Sequence, residues 1–230
     1  MTISAVIVGA GAGRRVGGRR KAMIPLAARP MVLWSLEAFA RVPEVREVVL
    51  VLDRRDAVRL MRRWPAELRR ARVKRIVPGG RERYESSRRG ILFTDPACDV
   101  VLVHDAARPF VTPALVRRVA RAARRAGAAI PVVRLSDTIK RVRRSRRGAW
   151  IIGTEDRDAL AAAQTPQGLS MRVVMELAQR RVWTAPVTDE AQWVERLGRR
   201  VAAVEGDAAN FKITTPADLR RAQEIAARGR

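Results

Sequence analysis

The chain has 230 residues, of which 47% are apolar, and it carries 47 Lys+Arg against 23 Asp+Glu for a formal net charge of +24. That length and apolar share fit one α/β domain with a real core. They exclude a membrane span, because no apolar run approaches the roughly 18 residues one needs. The excess of arginine invites a nucleic-acid reading. However, the basic residues are spread along the whole chain, aromatics make up only 4%, and no zinc or RNA-binding spacing occurs. A specific nucleic-acid partner is therefore not expected, whereas nonspecific low-salt binding and an anionic substrate are.

Ile3–Val8 is a continuous apolar run, read as a strand buried on both faces. It runs straight into Gly9-Ala10-Gly11-Ala12-Gly13-Arg14-Arg15. Met31–Phe39 has helical spacing, Glu47–Leu52 is a second strand ending at Asp53, and Val73–Val77 a third, stopped by Pro78-Gly79-Gly80. Glu82–Leu92 reads as helix. Val100–Val103 is a strand leading into His104-Asp105. Pro113–Ala126 is an amphipathic helix with Leu115, Val116, Val119, Ala122, Ala123 and Ala126 on one face, ended by Gly127, and Ala129–Val133 is the next strand. Strands alternating with helices predict a mostly parallel sheet flanked by helices.

The pattern changes at residues 136–156. Thr138–Val142 and Trp150–Thr154 are short β-prone runs around the charged turn Arg143–Gly148, which predicts an inserted β-hairpin arm. A lone hairpin is marginal in water, so this arm is expected to pack on something, and a second copy of the chain is the natural candidate. Helices follow at Ser170–Arg181 and Asp189–Gly198, then a strand at Arg200–Val204. Thr215-Pro216-Ala217-Asp218 opens a last helix with an N-cap, a first-turn proline and an acid at the third position.

Only four of the basic residues are lysine: Lys21, Lys74, Lys140 and Lys212. In a chain that uses arginine for generic charge, a retained lysine points to a place where a compact ammonium is needed. Lys21 closes the glycine-rich loop and Lys212 lies in Asn210-Phe211-Lys212-Ile213-Thr214-Thr215-Pro216, so one anionic site built from both ends of the chain is expected. The small residues Gly9–Gly13 let backbone N–H groups approach phosphates. Gly17, Gly18 and the cluster Arg14 to Lys21 fit a loop around a triphosphate better than a dinucleotide fingerprint or a Walker loop. Asp105, at the carboxyl end of a strand, suits a hard cation such as magnesium, and Arg108 can fix the loop or meet a phosphate. His104, the only histidine, is read as a packed side chain that orients Asp105. Cys98, the only cysteine, excludes an internal disulfide and fits a reducing cytoplasm. Met1–Val8 lacks the features of a secretory signal.

Taken with Ala163-Gln164-Thr165-Pro166-Gln167 and Thr188-Asp189-Glu190-Ala191, the segments Val103–Pro109 and Asn210–Pro216 resemble the motifs of the 2-C-methyl-D-erythritol 4-phosphate cytidylyltransferase family, in family order and from about residue 3 to 226. The resemblance implies a Rossmann-like nucleotidyltransferase fold spanning residues 1–230. It also implies transfer of CMP from CTP to methylerythritol phosphate, with release of pyrophosphate, in non-mevalonate isoprenoid synthesis. By the same likeness Arg15, Lys21 and Lys212 would be catalytic. Gly9, Ala10, Gly11, Ala12, Gly13, Gly80, Ser86, Asp105 and Ala106 would bind the nucleotide. Arg108, Thr138, Arg157, Thr165, Thr188 and Lys212 would bind the acceptor, and Asp105 would hold Mg2+. The family's arm reaches into a partner subunit, which implies a homodimer with Thr138 and Arg157 in the neighbour's site. The chain departs from the family at Arg20-Lys21-Ala22, where Pro-Lys-Gln is usual, in Val16 for methionine, and in a loop one residue shorter between Arg15 and Lys21. A cytidylyltransferase for another polyol phosphate, such as ribitol 5-phosphate, is the nearest alternative.

Overall fold

The computed structural model describes residues 1–11, 21–180, 183 and 185–228. The elements in chain order are β1 (Ile3–Val8), β2 (Pro25–Leu26), β3 (Arg29–Pro30), α1 (Met31–Ala40), β4 (Val45–Leu52), α2 (Arg54–Arg63), α3 (Pro65–Arg70), β5 (Val73–Pro78), α4 (Arg83–Leu92), β6 (Val100–Asp105), α5 (Pro113–Ala126) and β7 (Ala128–Arg134). Then come β8 (Lys140–Ser145), β9 (Gly148–Thr154), β10 (Ala161–Ala163), β11 (Gln167–Ser170), α6 (Met171–Gln179), α7 (Glu190–Arg196), β12 (Ala202–Glu205) and α8 (Pro216–Ala227).

The sheet runs β10-β7-β11-β6-β1-β4-β5, with β12 also paired to β7. Strands β6, β1, β4 and β5 are parallel, as the apolar runs predict, and β12 is parallel to β7. Ala129 pairs with both Gly168 and Ala202, and Val132 with both Ala163 and Glu205. Hence β10 and β11 share one edge of β7 and β12 takes the other. The antiparallel β11 pairs Gln167 with Val103, so the Gln164-Thr165-Pro166 break between β10 and β11 lies at the carboxyl edge of the sheet beside Asp105. That placement was not legible from strands of three and four residues with the sequences Ala-Ala-Ala and Gln-Gly-Leu-Ser.

The two faces of β1 follow its period of two. Ile3, Ala5 and Ile7 pack with α1 and α5 residues such as Leu36, Phe39, Val116 and Val119. Val6 and Val8 pack with Ile91, Val173, Leu177 and Trp193 on the opposite layer. Gly90 permits that second layer to close, since a Cβ there would sit 2.3 Å from Val6 Cγ1. This close approach of α4 to β1 is what brings the first turn of α4 over the end of β6. Thr112 caps α5 and Gly127 ends it at φ 92°, as expected. Ala126, assigned to its apolar face, is exposed, and Ala120 is buried instead. Asp53 caps α2 by accepting from Arg55 N. The predicted arm is present, but its strands are longer than expected: they extend to Ser145 and from Gly148, leaving Arg146-Arg147 as the turn. Arg143 and Arg144 pair across to Trp150 and Ala149, because arginines are tolerated in a hairpin whose faces both meet solvent.

Candidate active site

A cavity of about 720 Å³ opens at the carboxyl edge of the sheet, lined by residues from five parts of the chain: Gly9–Gly11 after β1, Lys21-Ala22, Gly80–Arg83 with Ser86 at the start of α4, Asp105–Ala107, and Lys212 with Thr214. Such an edge is where open α/β sheets bind ligands. The loops after β1 and β5 touch at Gly79, where a Cβ would fall 2.1 Å from Ala10 Cβ. Gly80 N donates to Ser86 Oγ at 2.9 Å, and Ser86 Oγ donates to Glu82 O at 3.2 Å. These bonds fix the entry to α4 against the cavity.

The two lysines singled out in the sequence meet here. Lys212 Nζ is 2.6 Å from Asp105 Oδ2. Lys21 Nζ donates to Ile213 O at 3.0 Å, so the loop after β1 is tied to the residue next to Lys212. The Lys212 segment is itself anchored on both sides. Asn210 and Ile213 are fully buried, Asn210 Nδ2 donates to Thr165 O at 2.8 Å, and Ile213 N donates to Ala107 O at 2.9 Å. The other two lysines take different parts: Lys140 Nζ donates across the arm to Thr154 Oγ1 at 2.7 Å, and Lys74 lines a separate groove beside α2.

Asp105 is the electrostatic centre. Besides Lys212, it accepts from Arg83 Nε at 2.9 Å through Oδ1. Burial opposes its charge, but Arg83, Lys212 and Arg108 outweigh it and hold the carboxyl far below the usual carboxylate range. Arg83 reaches on to Glu190 with two bonds of 2.8 and 3.1 Å, and Ser87 Oγ donates to Glu190 at 2.6 Å. Burial also opposes the charge of Arg83, and Asp105 together with Glu190 reverses that and holds it more firmly protonated than usual. Glu190 is wholly buried. A bidentate arginine–carboxylate pair joined to a second carboxylate gives a fixed geometry as well as attraction. Neither Arg83 nor Glu190 was identified from the sequence. Arg83 is one arginine among dozens, and Glu190 reads as the first turn of a helix. The one available signal was that Glu190 falls within the Thr188–Ala191 motif and four positions before the apolar residue Val194.

Behind Asp105 lies a directed chain of neutral hydrogen bonds. Arg108 O can only accept, so His104 Nε2, 3.1 Å away, carries the proton. The Nδ1 atom then accepts from Thr165 Oγ1 at 3.0 Å, and Thr165 Oγ1 accepts from Asp105 N at 3.1 Å. Burial pushes His104 down to about 4, so it is neutral at pH 7 and serves to position Asp105, as expected. Arg108 donates to Asn210 O at 2.8 Å and Ala163 O at 3.2 Å, bracing the Lys212 and Gln164 segments. Gln164 pairs with the Asp207 backbone in both directions. Gln167 bonds Asp189 Oδ2 and the N–H of Ala191, which positions Glu190.

Of the expected site residues, Gly9, Ala10, Gly11, Lys21, Gly80, Ser86, Asp105, Ala106 and Lys212 come together at this cavity. Arg108 and Thr165 brace its floor. Thr138, Arg157 and Thr188 are exposed and do not line it. Arg157 Nη1 donates to Ser136 O at 2.9 Å at the base of the arm, and Thr188 N donates to Gln192 Oε1 at 3.0 Å. Ala12, Gly13 and Arg15 lie outside the described residues.

A mostly parallel sheet with a glycine loop, two lysines and a charge-locked aspartate at its carboxyl edge defines the nucleotidyltransferase class. The sequence profile described as 2-C-methyl-D-erythritol 4-phosphate cytidylyltransferase matches residues 3–228. The chain therefore belongs to that family, whose activity is CTP-dependent cytidylyl transfer in isoprenoid biosynthesis, and the ribitol phosphate alternative is not favoured. It is 35% identical over 229 residues to the Geobacillus kaustophilus protein of that name, covering 99% of this chain and 98% of the relative. It is 40% identical over 222 residues to the bifunctional enzyme IspD/IspF of Nitrobacter winogradskyi, covering 95% of this chain but 54% of the relative. The chain thus spans about half the length of the bifunctional relatives. The Thermus thermophilus 2-C-methyl-D-erythritol 4-phosphate cytidylyltransferase superposes with TM-score 0.78 at 33% identity, covering 99% of this chain and all of that one. The 4-diphosphocytidyl-2C-methyl-D-erythritol synthase of Anaerococcus prevotii gives 0.81 at 28% identity, covering 98% and 96%.

Proposed function

We propose that the cavity around Asp105 binds CTP and that Lys21 and Lys212, with Arg15, stabilise charge as CMP passes to methylerythritol phosphate. The acceptor's phosphate oxygen forms a bond to the α-phosphorus, the bond between that phosphorus and its bridging oxygen to the β-phosphorus breaks, and the electron pair leaves with pyrophosphate. Two anionic substrates, a phosphate monoester and a triphosphate, must approach each other, so the barrier is mainly one of position and charge. The single observation that carries this reading is the convergence of Lys21 and Lys212, almost the full chain length apart, on one cavity with Asp105 between them and Arg83. Backbone of Gly9–Gly13, with Gly80, Ser86 and Ala106, holds base, ribose and phosphates.

The residues present fit a magnesium ion bound through substrate. Among the described residues no three acidic, histidine or cysteine side chains cluster as an all-protein cage. Magnesium usually takes one or two carboxylates plus substrate phosphates. Each Asp105 oxygen accepts one protein bond, which leaves further lone pairs. When bound, the ion neutralises triphosphate charge. Asp105 is kept ionised to hold it, and Lys212 shares the same carboxylate and faces the same phosphates.

The acceptor site needs a second copy of the chain. Trp150, Ile151 and Ile152 of the arm are 63, 68 and 48% exposed, which is unfavourable for an isolated subunit. Cover by a partner hides them and carries Thr138 and Arg157 to the neighbour's cavity, where Thr188 completes the acceptor set. Among the described residues no helix is long and apolar enough to cross a membrane, and a lone buried cysteine supports work in the cytoplasm.

The test is pyrophosphate release from CTP and Mg2+ with methylerythritol phosphate against ribitol 5-phosphate at moderate salt. Release with the first alone is expected. Release with ribitol 5-phosphate alone overturns the acceptor, and release without added metal overturns the role of Asp105 as a metal ligand. Subunit sharing is tested by mixing Lys21→Ala and Arg157→Ala proteins, which restores part of the activity only if sites are built across the interface.

A further inference from the structure

We propose that the arginine face of α2 is a sequence-independent binding surface for single-stranded nucleic acid, separate from the active site. Eight arginines lie from Arg54 to Arg72 against two acids, Asp56 and Glu67, so this stretch is locally far richer in positive charge than the chain-wide spread suggests. Arg55, Arg59, Arg62 and Arg63 are all exposed. Their spacing places them on one side of the helix, along about 12 Å of its axis. With Trp64 and Glu67 they line a groove of about 720 Å³. Among the described residues, the ion pairs elsewhere in the protein include none of these four guanidinium groups.

The groove combines the two elements of a single-strand site: a positive track for the backbone and an aromatic platform for a base. Guanidinium forks match phosphate oxygens better than ammonium groups do. Trp64 is held at the break between α2 and α3, where it ends one helix and precedes Pro65 of the next. It is half-buried, and the Arg63 guanidinium lies 5.8 Å from its ring centroid, which places a cation beside the aromatic ring. An anionic membrane fits less well. Met61, the exposed apolar residue of α2 with most reach, lines the other groove beside β5, and the arginine side offers only Val58 and Trp64 for insertion. The groove shares no lining residue with the Asp105 cavity, so the two can be separated by experiment.

The probe is a fluorescein-labelled oligouridylate of about 20 nucleotides, followed by anisotropy between roughly 50 and 200 mM salt. Two variants each remove four positive charges. One changes Arg55, Arg59, Arg62 and Arg63 to Gln, and the other changes Arg121, Arg124, Arg125 and Arg172, exposed on α5 and α6, to Gln. Four phosphate contacts contribute about 3 to the slope of log affinity against log salt for a single strand. The α2 variant is expected to lose that slope and at least about tenfold in affinity at the lowest salt. The control variant is expected to lose far less, and cytidylyl transfer by the α2 variant to stay unchanged. Excess CTP with Mg2+ should leave the oligonucleotide bound. Equal losses in both variants, displacement by CTP, or capture of phosphatidylserine vesicles without binding of the oligonucleotide would each overturn the assignment.

Discussion

The cavity and the arm deal with charge in opposite ways. Around Asp105 the cations Arg83, Lys212 and Arg108 each have a carboxylate or carbonyl to meet. Arg83 spans two acids, Lys212 meets one, and Arg108 braces two carbonyls. In the arm, β8 and β9 contact chiefly each other, and their apolar side chains face outward. The contacts that Asp105 makes with Arg83 and Lys212 lie within one subunit, and removing one member strands another in low dielectric. The arm has no buried side to lose. A change in the cavity should therefore cost folding or catalysis within one subunit, whereas a change in the arm should cost assembly and the acceptor use that depends on it.

Glu190→Ala is the harshest test of the first half. It removes a fully buried carboxylate and leaves Ser87 unpartnered and Arg83 held only by Asp105. Breaking a buried pair costs about 3–5 kcal/mol, so chemical denaturation should show a loss of that size. Turnover should also fall, since Arg83 no longer fixes Asp105. A loss below about 1 kcal/mol, as for an ordinary surface position, would show that the network is not rigid. Lys21→Ala comes next. Loss of one donor to developing charge costs about a hundred- to a thousandfold in kcat, with a small change in KM for CTP if the contact tightens only in the transition state. A raised KM with unchanged kcat would place Lys21 in ground-state binding.

Much of this contrast was legible in the sequence. The strand–helix alternation, the glycine loop, the Val103–Pro109 turn and the two conspicuous lysines marked the carboxyl edge, and the alternating run before and after Arg146 marked the arm. What escaped was the wiring. Arg83 cannot be told from its neighbours until α4 is packed against β1 at Gly90, and Gln164, Gln167 and Asn210 act through backbone groups far away in sequence. Helices α2 and α3 escaped for another reason. Leu60 and Leu68 are their only buried residues, so arginine hides the apolar period on which sequence reading depends.

Acid should act on the two regions differently. His104 has an ordinary value of 6.5 and is lowered to about 4 by burial in the fold. Because the folded value is the lower one, the unfolded chain binds the proton first. Stability is then whole above 6.5 and declines as pH falls toward 4, by about 3 kcal/mol for this group. In His104→Gln the amide can still donate to Arg108 O and accept from Thr165. That variant should lose less stability over this window, measured by urea unfolding from pH 7 to 4.5. Parallel profiles for the two proteins would remove His104 from the account of acid sensitivity.

The smallest expected effect on the folded subunit is the most telling for the arm. Ile151 is 68% exposed, so Ile151→Glu removes almost no burial from one chain. Its unfolding free energy, measured at low protein concentration, should stay within about 0.5 kcal/mol of the parent, as at other surface positions. If a second copy covers the arm, the same glutamate is forced into an apolar interface at a cost of several kcal/mol. Sedimentation should then show monomers, and transfer to methylerythritol phosphate should fall while CTP binding persists. The split between the two readouts carries the argument. A monomer that keeps full activity would show that Thr138 and Arg157 are not needed from a neighbour. An unchanged dimer would show that the arm's apolar face is covered in some other way. Only loss of assembly together with loss of acceptor use fits a subunit that holds its own nucleotide site and lends the rest of the active site to its partner.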